Sequence, residues 1–197
     1  MFIQAIAYVI DALFSIFILS ALVRFWMQAL RAPVRNPIAQ FTMALTDWAV
    51  LPLRRVIPGF LKLDLATLLV AMAFEFLLRV ILELLLRDSS LDNPRILSVL
   101  LFVSAVWLVR LSIYVFMGAI ILQAVLSWMN PHHPVAPFFN ALTNPFLRPI
   151  QRAVPPIGGV DITPVLVLIF FQLLLMLPVG WVEREADRML VLARMLS

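Results

Sequence analysis

The sequence predicts an all-α, polytopic helical membrane protein: about four transmembrane helices in two tandem two-helix repeats, each with an interfacial amphipathic helix. Three observations predict it. Of 197 residues, 63% are hydrophobic and 13% charged, with a mean hydropathy of +1.03. Soluble domains carry roughly 45–50% apolar and about 25% charged residues, and so few charges cannot cover a water-facing surface. Four long apolar blocks punctuate the chain, and about 20 such residues cross a bilayer as a helix. Finally, the stretch Ala44 to Asp64 returns without a gap as Ala141 to Asp161, pairing Thr46/Thr143, Pro52/Pro149, Arg55/Arg152, Pro58/Pro155 and Asp64/Asp161. Repetition of this kind sets the architecture.

The first block, Phe2 to Leu30, holds Asp11 and Arg24. Arg24 lies late enough to snorkel toward headgroups. With no basic n-region and no small-residue cleavage site, this block is expected to be a retained span and not a removable signal. The second block is Leu65 to Leu86. The third, Ile96 to Met129, is too long for one ordinary span, and Arg110 divides it. A short surface helix followed by a span from Leu111 to Met129 is expected, with one long tilted helix as the alternative. The fourth, Pro164 to Val182, precedes a charged, helix-compatible tail, Glu183 to Arg188, expected to rest in water against the headgroups.

Between spans one and two, and again between three and four, lies the repeated segment. Phe41, Leu45, Trp48, Leu51 and Leu53, and then Phe138, Phe139, Leu142, Phe146, Leu147 and Ile150, suit a short amphipathic helix at the interface. Pro52/Pro149 and Pro58/Pro155 are expected to break that helix and turn the chain back into the membrane. Trp26, Trp48, Trp128 and Trp181 fall near span ends, where indoles favour the headgroup level.

The two repeats are drawn as residues 1–90 and 91–197. Each holds an even number of spans, so both enter from one side, related by a pseudo-two-fold axis along the membrane normal. The repeated loops carry seven Lys or Arg residues (Arg31, Arg35, Arg54, Arg55, Lys62, Arg148, Arg152) and the opposite side five (Arg87, Arg95, Arg184, Arg188, Arg194). The positive-inside rule then puts the loops in the cytoplasm. The net charge of +4 is scattered singly between apolar blocks, which points to anionic lipid headgroups and not to nucleic acid.

Little in the chain suggests catalysis. Cysteine is absent, only five glycines are present, and no phosphate loop, nucleophile elbow or metal-ligand spacing occurs. No enzyme activity, metal or cofactor is therefore expected. His132 and His133 sit on a proline-bounded loop without further ligands, which suits a hydrated loop better than a metal or haem site. Glu75, Arg79, Glu83 and Arg87 recur every four residues in the second block, a stripe of alternating charge on a helix. Either an ion pathway through Glu75, with Arg24 and Arg110 as countercharges, or a self-neutralised structural ladder fits this stripe. The aligned residue in copy two is Gln172. Asp64 and Asp161 each precede a span and suit N-capping; a shared cation site, or neutralisation by Arg55 and Arg152, are the alternatives.

The repeated phrase closely resembles the YggT family of small bacterial membrane proteins. Copy two carries it most fully, in Leu142, Thr143, Asn144, Pro145, Pro149, Arg152, Pro155, Asp161 and Pro164, preceded by Leu126-Ser127-Trp128. Copy one departs at Trp48, where a proline is expected, and at Leu65-Ala66-Thr67. The resemblance implies a multi-pass protein of the bacterial inner membrane, with relatives in plastid membranes. It implies links to osmotic-shock tolerance, cell-division gene neighbourhoods, nucleoid distribution and cytochrome assembly, but no single activity. The expectation is a non-enzymatic scaffold or assembly factor that engages lipid headgroups and pairs with other membrane proteins or with itself. The alternative is a subunit of an ion channel or transporter using Glu75 and Arg79.

Overall fold

The computed structural model describes residues 1–57, 63–87, 94–154 and 161–195, with the side chains of Arg87 and Met195 outside that description. Pro58, Lys62 and Pro155, named above, also lie outside the described residues. Seven α-helices are described: α1 (Phe2–Ala29), α2 (Pro37–Val56), α3 (Leu65–Arg87), α4 (Pro94–Met129), α5 (Ala136–Ala153), α6 (Thr163–Leu174) and α7 (Gly180–Met195), the last two joined by a π-turn at Leu175–Val179. Four helical stretches are long and apolar enough to cross a bilayer: α1, α3, α4 and the α6–α7 rod.

Helix α4 lies at the centre. It touches α1, α3, α5, α6 and α7, while α1 and α3 pack along one another as the core of the first repeat. Its 36 residues form one continuous helix, about 54 Å long at 1.5 Å per residue, so the expected division at Arg110 is corrected in favour of the single long helix. The reason is local. Arg110 donates to Tyr114 Oη at 3.1 and 3.2 Å and pairs with Glu183 at 2.5 Å, so its charge is satisfied without the chain leaving the helix.

The repeated segments form α2 and α5, and both sit at the same end. One apolar cluster joins Ala39 of α2 to Phe138, Phe139 and Leu142 of α5 and to Met27 and Ala119 of the spans. Pro52 and Pro149 do not break these helices; they lie inside them, as does Pro145. Each helix instead ends just before the next proline of the sequence, with Ile57 (φ −113°, ψ 99°) and Val154 (φ −120°, ψ 103°) extended, the conformation a following proline imposes.

The two amphipathic helices use their faces differently. Helix α5 buries Phe138, Phe139, Leu142 and Leu147 against the body, whereas α2 buries Ala39, Thr42, Thr46 and Val50 and turns Phe41, Trp48 and Leu51 outward. Helix α2 starts on a cap the sequence spells out: Asn36 Oδ1 accepts from the Ala39 N–H at 3.0 Å, and Pro37 fills the first turn. Ahead of it, α1 ends in a Schellman turn. Ala32 N–H donates to Met27 O at 2.8 Å and Arg31 N–H to Gln28 O at 3.2 Å, with Arg31 left-handed at φ 54°.

The π-turn has an evident cause. Pro178 lies within it and has no N–H to give the carbonyl one turn back, and the widened turn absorbs that loss. Beyond it, α7 packs on α4 through Leu190 and Ala193 against Ile96 and Leu100. The charged tail thus continues into a helix that packs on α4, with Arg184, Asp187 and Arg188 exposed. Trp48, Trp128 and Trp181 are exposed, but Trp26 packs edge-on against Phe25 and Phe116 and is no surface anchor.

Candidate functional site

The polar residues collect in two places, one at each end of the spans. At the end carrying α2 and α5, each repeat hangs its threonine from the preceding span. Arg24, 2% exposed, donates from Nη1 to Thr46 Oγ1 at 2.8 Å and pairs with Asp47 at 2.7 Å. Thr46 passes its own proton back to the Thr42 carbonyl at 2.6 Å. In the second repeat the Thr143 hydroxyl is shared between Phe139 O at 2.9 Å and Gln123 Oε1 at 3.0 Å. Arg24 and Gln123 thus hold equivalent stations, five and six residues before the ends of α1 and α4. Arg24 does not snorkel, because a buried acceptor and a carboxylate meet it in place.

A second pair of junctions fastens each amphipathic helix to the start of the next span. Arg54 Nη2 bonds the Asp64 carboxylate and also Gln28 Oε1 at 3.1 Å, tying α1, α2 and α3 together. At the corresponding position of the second repeat, Gln151 Nε2 donates to Asp161 at 2.9 Å. The capping role holds for both aspartates. Asp64 accepts from the Thr67 N–H at 3.4 Å and from its hydroxyl, and Asp161 accepts from the Thr163 N–H at 2.9 Å from one residue further out, with Ile162 at the cap position. Burial alone would raise the Asp64 pKa, but donation from Arg54 and Thr67 and the Arg54 charge outweigh it and hold the carboxyl below the usual value. Asp161 is likewise lowered, its partial burial outweighed by Thr163 and Gln151.

At the other end, α3, α4 and α7 enclose a cavity of about 390 Å³. Three ion pairs surround it. Glu75 binds Arg79 at 2.6 Å, Glu83 takes both Nε and Nη2 of Arg194 at 2.6 and 2.7 Å, and Arg110 meets Glu183. Trp107 lies between two guanidiniums, with Arg79 Cζ 4.2 Å and Arg110 Cζ 5.2 Å from its ring centre, inside the range of cation–π attraction. Asp11 of α1 lies within electrostatic reach of Glu75. Glu183 stands 20 residues beyond Thr163 on the same rod, about 30 Å along it, one hydrocarbon thickness from the α2/α5 end.

The stripe on α3 carries an ion pair of its own, and Arg24 and Arg110 are not its countercharges. Glu75 and Arg79 pair along the helix, and Glu83 is also paired from α7. Arg24 and Arg110 serve other carboxylates. Gln172 is exposed on the outer face of α6. Arg55 and Arg152 are exposed and do not neutralise the aspartates; their neighbours Arg54 and Gln151 hold them. His132 and His133 are exposed, and His133 Nδ1 accepts from the Val135 N–H at 3.4 Å. Matching identical residues between the copies singled out Arg55/Arg152 and passed over Arg54/Gln151, where only the capacity to donate is shared. Asp47, Gln123 and Trp107 carried no such mark.

A family model described as CCB3/YggT matches residues 3–85 and 102–182, one match for each repeat. A Vibrio alginolyticus protein named for the proC 3′ region is 32% identical over 170 residues, covering 86% of this chain and 90% of its own. A Pseudomonas aeruginosa protein is 32% identical over 178 residues, covering 89% of each. The YggT protein of Escherichia coli K12 is 28% identical over 176 residues, covering 85% of this chain and 86% of its own. No solved structure matches. The paired matches, the four membrane-capable helices and the twice-built polar junctions agree: this multi-pass helical membrane protein belongs to the CCB3/YggT family.

Proposed function

We propose that the chain is a non-enzymatic scaffold or assembly factor of the bacterial inner membrane, serving envelope processes such as osmotic-stress tolerance or cell division. One observation carries the reading. Arg31, Arg35, Arg55, Arg148 and Arg152 are all exposed at the end bearing α2 and α5, while the described acidic residues there, Asp47, Asp64 and Asp161, are already bonded. Such a surface is attracted to anionic headgroups by about 1 kcal/mol per basic residue. The outer faces of the spans supply the second contact. Only 17% of the most apolar stretch of the fourth span is buried, and Gln172 sits on that face amid exposed Ile169, Phe170, Leu173 and Met176. A polar amide in such a row favours a partner helix, from another membrane protein or a second copy.

The test is Arg55→Glu with Arg152→Glu. Membrane insertion should survive, and recovery of cross-linked partners from native membranes in mild detergent should fall; unchanged recovery would refute the reading. A second reading rests on the buried Glu75–Arg79 pair with Asp11 within electrostatic reach of Glu75: buried charge at membrane depth suits a cation or proton path in an oligomer. Reconstituted protein would then pass cations, with flux falling in Glu75→Gln. Folded protein without flux would remove this reading.

A further inference from the structure

The geometry points to a phosphate-binding site in the second repeat, in the polar cavity between α4 and α5. This cavity, about 370 Å³, is lined by Gln123 and Ser127 from α4 and by Asn140, Asn144 and Arg148 from α5. The spacing of four in each helix puts these groups on facing stripes. Every one of the five can donate a hydrogen bond, no carboxylate is among the lining residues, and Arg148 supplies a positive charge. Among the described residues, Ser127, Asn140, Asn144 and Arg148 make no side-chain hydrogen bond or ion pair with the protein. Gln123 spends its Oε1 on Thr143, which leaves its Nε2 donor for the cavity.

The first repeat indicates what is missing. At the equivalent place, Arg24 stands for Gln123 and Asp47 for Asn144, and the guanidinium is met by the Asp47 carboxylate at 2.7 Å. The second repeat has exchanged that carboxylate for an amide and has placed an arginine one turn further along α5, where the first has Leu51. Both charges of the first repeat's pair are amides here, so the cation of this cavity is Arg148, which has no carboxylate among the lining residues and would draw its anion from outside. A phosphate oxyanion fits best, because a guanidinium with flanking amide and hydroxyl donors matches several oxygens at once. A phospholipid headgroup and free phosphate share this chemistry, and both can reach a cavity at the membrane face. The site stands independently of the scaffold reading.

Purified full-length protein in an uncharged detergent, titrated separately with dihexanoyl phosphatidylglycerol and with inorganic phosphate and followed by calorimetry, tests the assignment. Saturable binding of at least one probe is expected, about tenfold weaker in Arg148→Gln. Asn144→Asp, which supplies an internal carboxylate as in the first repeat, should weaken binding at least as much while leaving the thermal transition where it was or higher. Preference for the lipid probe or for inorganic phosphate identifies the source. No binding of either probe by the wild type would overturn the site, as would an equal loss in Arg35→Gln, which lies at the same basic end but outside the cavity.

Discussion

Gln151 donates to Asp161 across 2.9 Å at the place where, one repeat earlier, Arg54 meets Asp64. The same fastening is built once as an ion pair and once as a neutral hydrogen bond. The charged version is buried at its acid end, since Asp64 is 6% exposed, and it adds a third helix through Gln28.

The charged junction should therefore respond to acid. The Asp64 pKa is lowered in the folded protein, so the folded state binds fewer protons there than the unfolded chain. Its contribution is complete above the ordinary carboxylate value of about 3.9 and is lost as pH falls through the folded value. Asp64→Asn should cost about 2 kcal/mol at neutral pH, and unfolding measured in detergent should show the gap from wild type closing in acid. Asp161→Ala should cost about 1 kcal/mol, the worth of a cap.

Breaking the first repeat's pair should cost less than the burial of Arg24 alone suggests. Arg24→Gln leaves the Asp47 charge unpaired, but Asp47 is 45% exposed and water recovers part of the loss. A destabilisation of about 2 kcal/mol is expected, below the 3–5 kcal/mol of fully buried pairs. Adding Asp47→Asn, which reproduces the uncharged Gln123 and Asn144 of the second repeat, should recover about half of it. A double-mutant cycle in thermal unfolding reads the coupling.

Arg31 closes α1 in a left-handed conformation that suits glycine. Arg31→Gly should stabilise the protein by about 0.5–1 kcal/mol and raise the thermal midpoint in detergent. A fall in the midpoint would mean that the arginine side chain is worth more than the strain.

The chain has no cysteine, so introduced pairs can be read without background. Met43→Cys with Ala141→Cys, both packed on the cluster that joins α2 and α5, should cross-link with a short bifunctional reagent in membranes. Glu83→Cys with Arg194→Cys should do so at the opposite end. Cross-linking of Met43→Cys to Arg194→Cys in one chain would contradict the arrangement.

The spans and the tandem plan were legible because both depend on runs of residues: hydropathy marks each span and identical residues mark each repeat. What stayed hidden depends on partners far apart in the chain. Arg110 reads as a break in an apolar block until Glu183, 73 residues away, arrives beside it. Glu83 reads as a rung of a stripe confined to one helix until Arg194 reaches it from another. Pro52 and Pro149 read as helix ends because proline removes a backbone donor, yet in both copies the helix runs one further turn to Val56 and Ala153. The aspartate caps were legible from position alone; their true donors were not, because Arg54 and Gln151 differ in charge while serving one geometry.

The widened turn at Leu175–Val179 also fixes a rotation. One residue more in a turn swings everything after it by about 100° around the helix axis, so Pro178 decides which side of α7 meets α4. Glu183 and Arg194 find their partners only at that phase. A deletion or insertion between Leu174 and Gly180 would redirect both at once, whereas a change of side chain in the same stretch other than at Pro178 would redirect neither; apart from that proline, this short segment should tolerate variation in kind far better than variation in length.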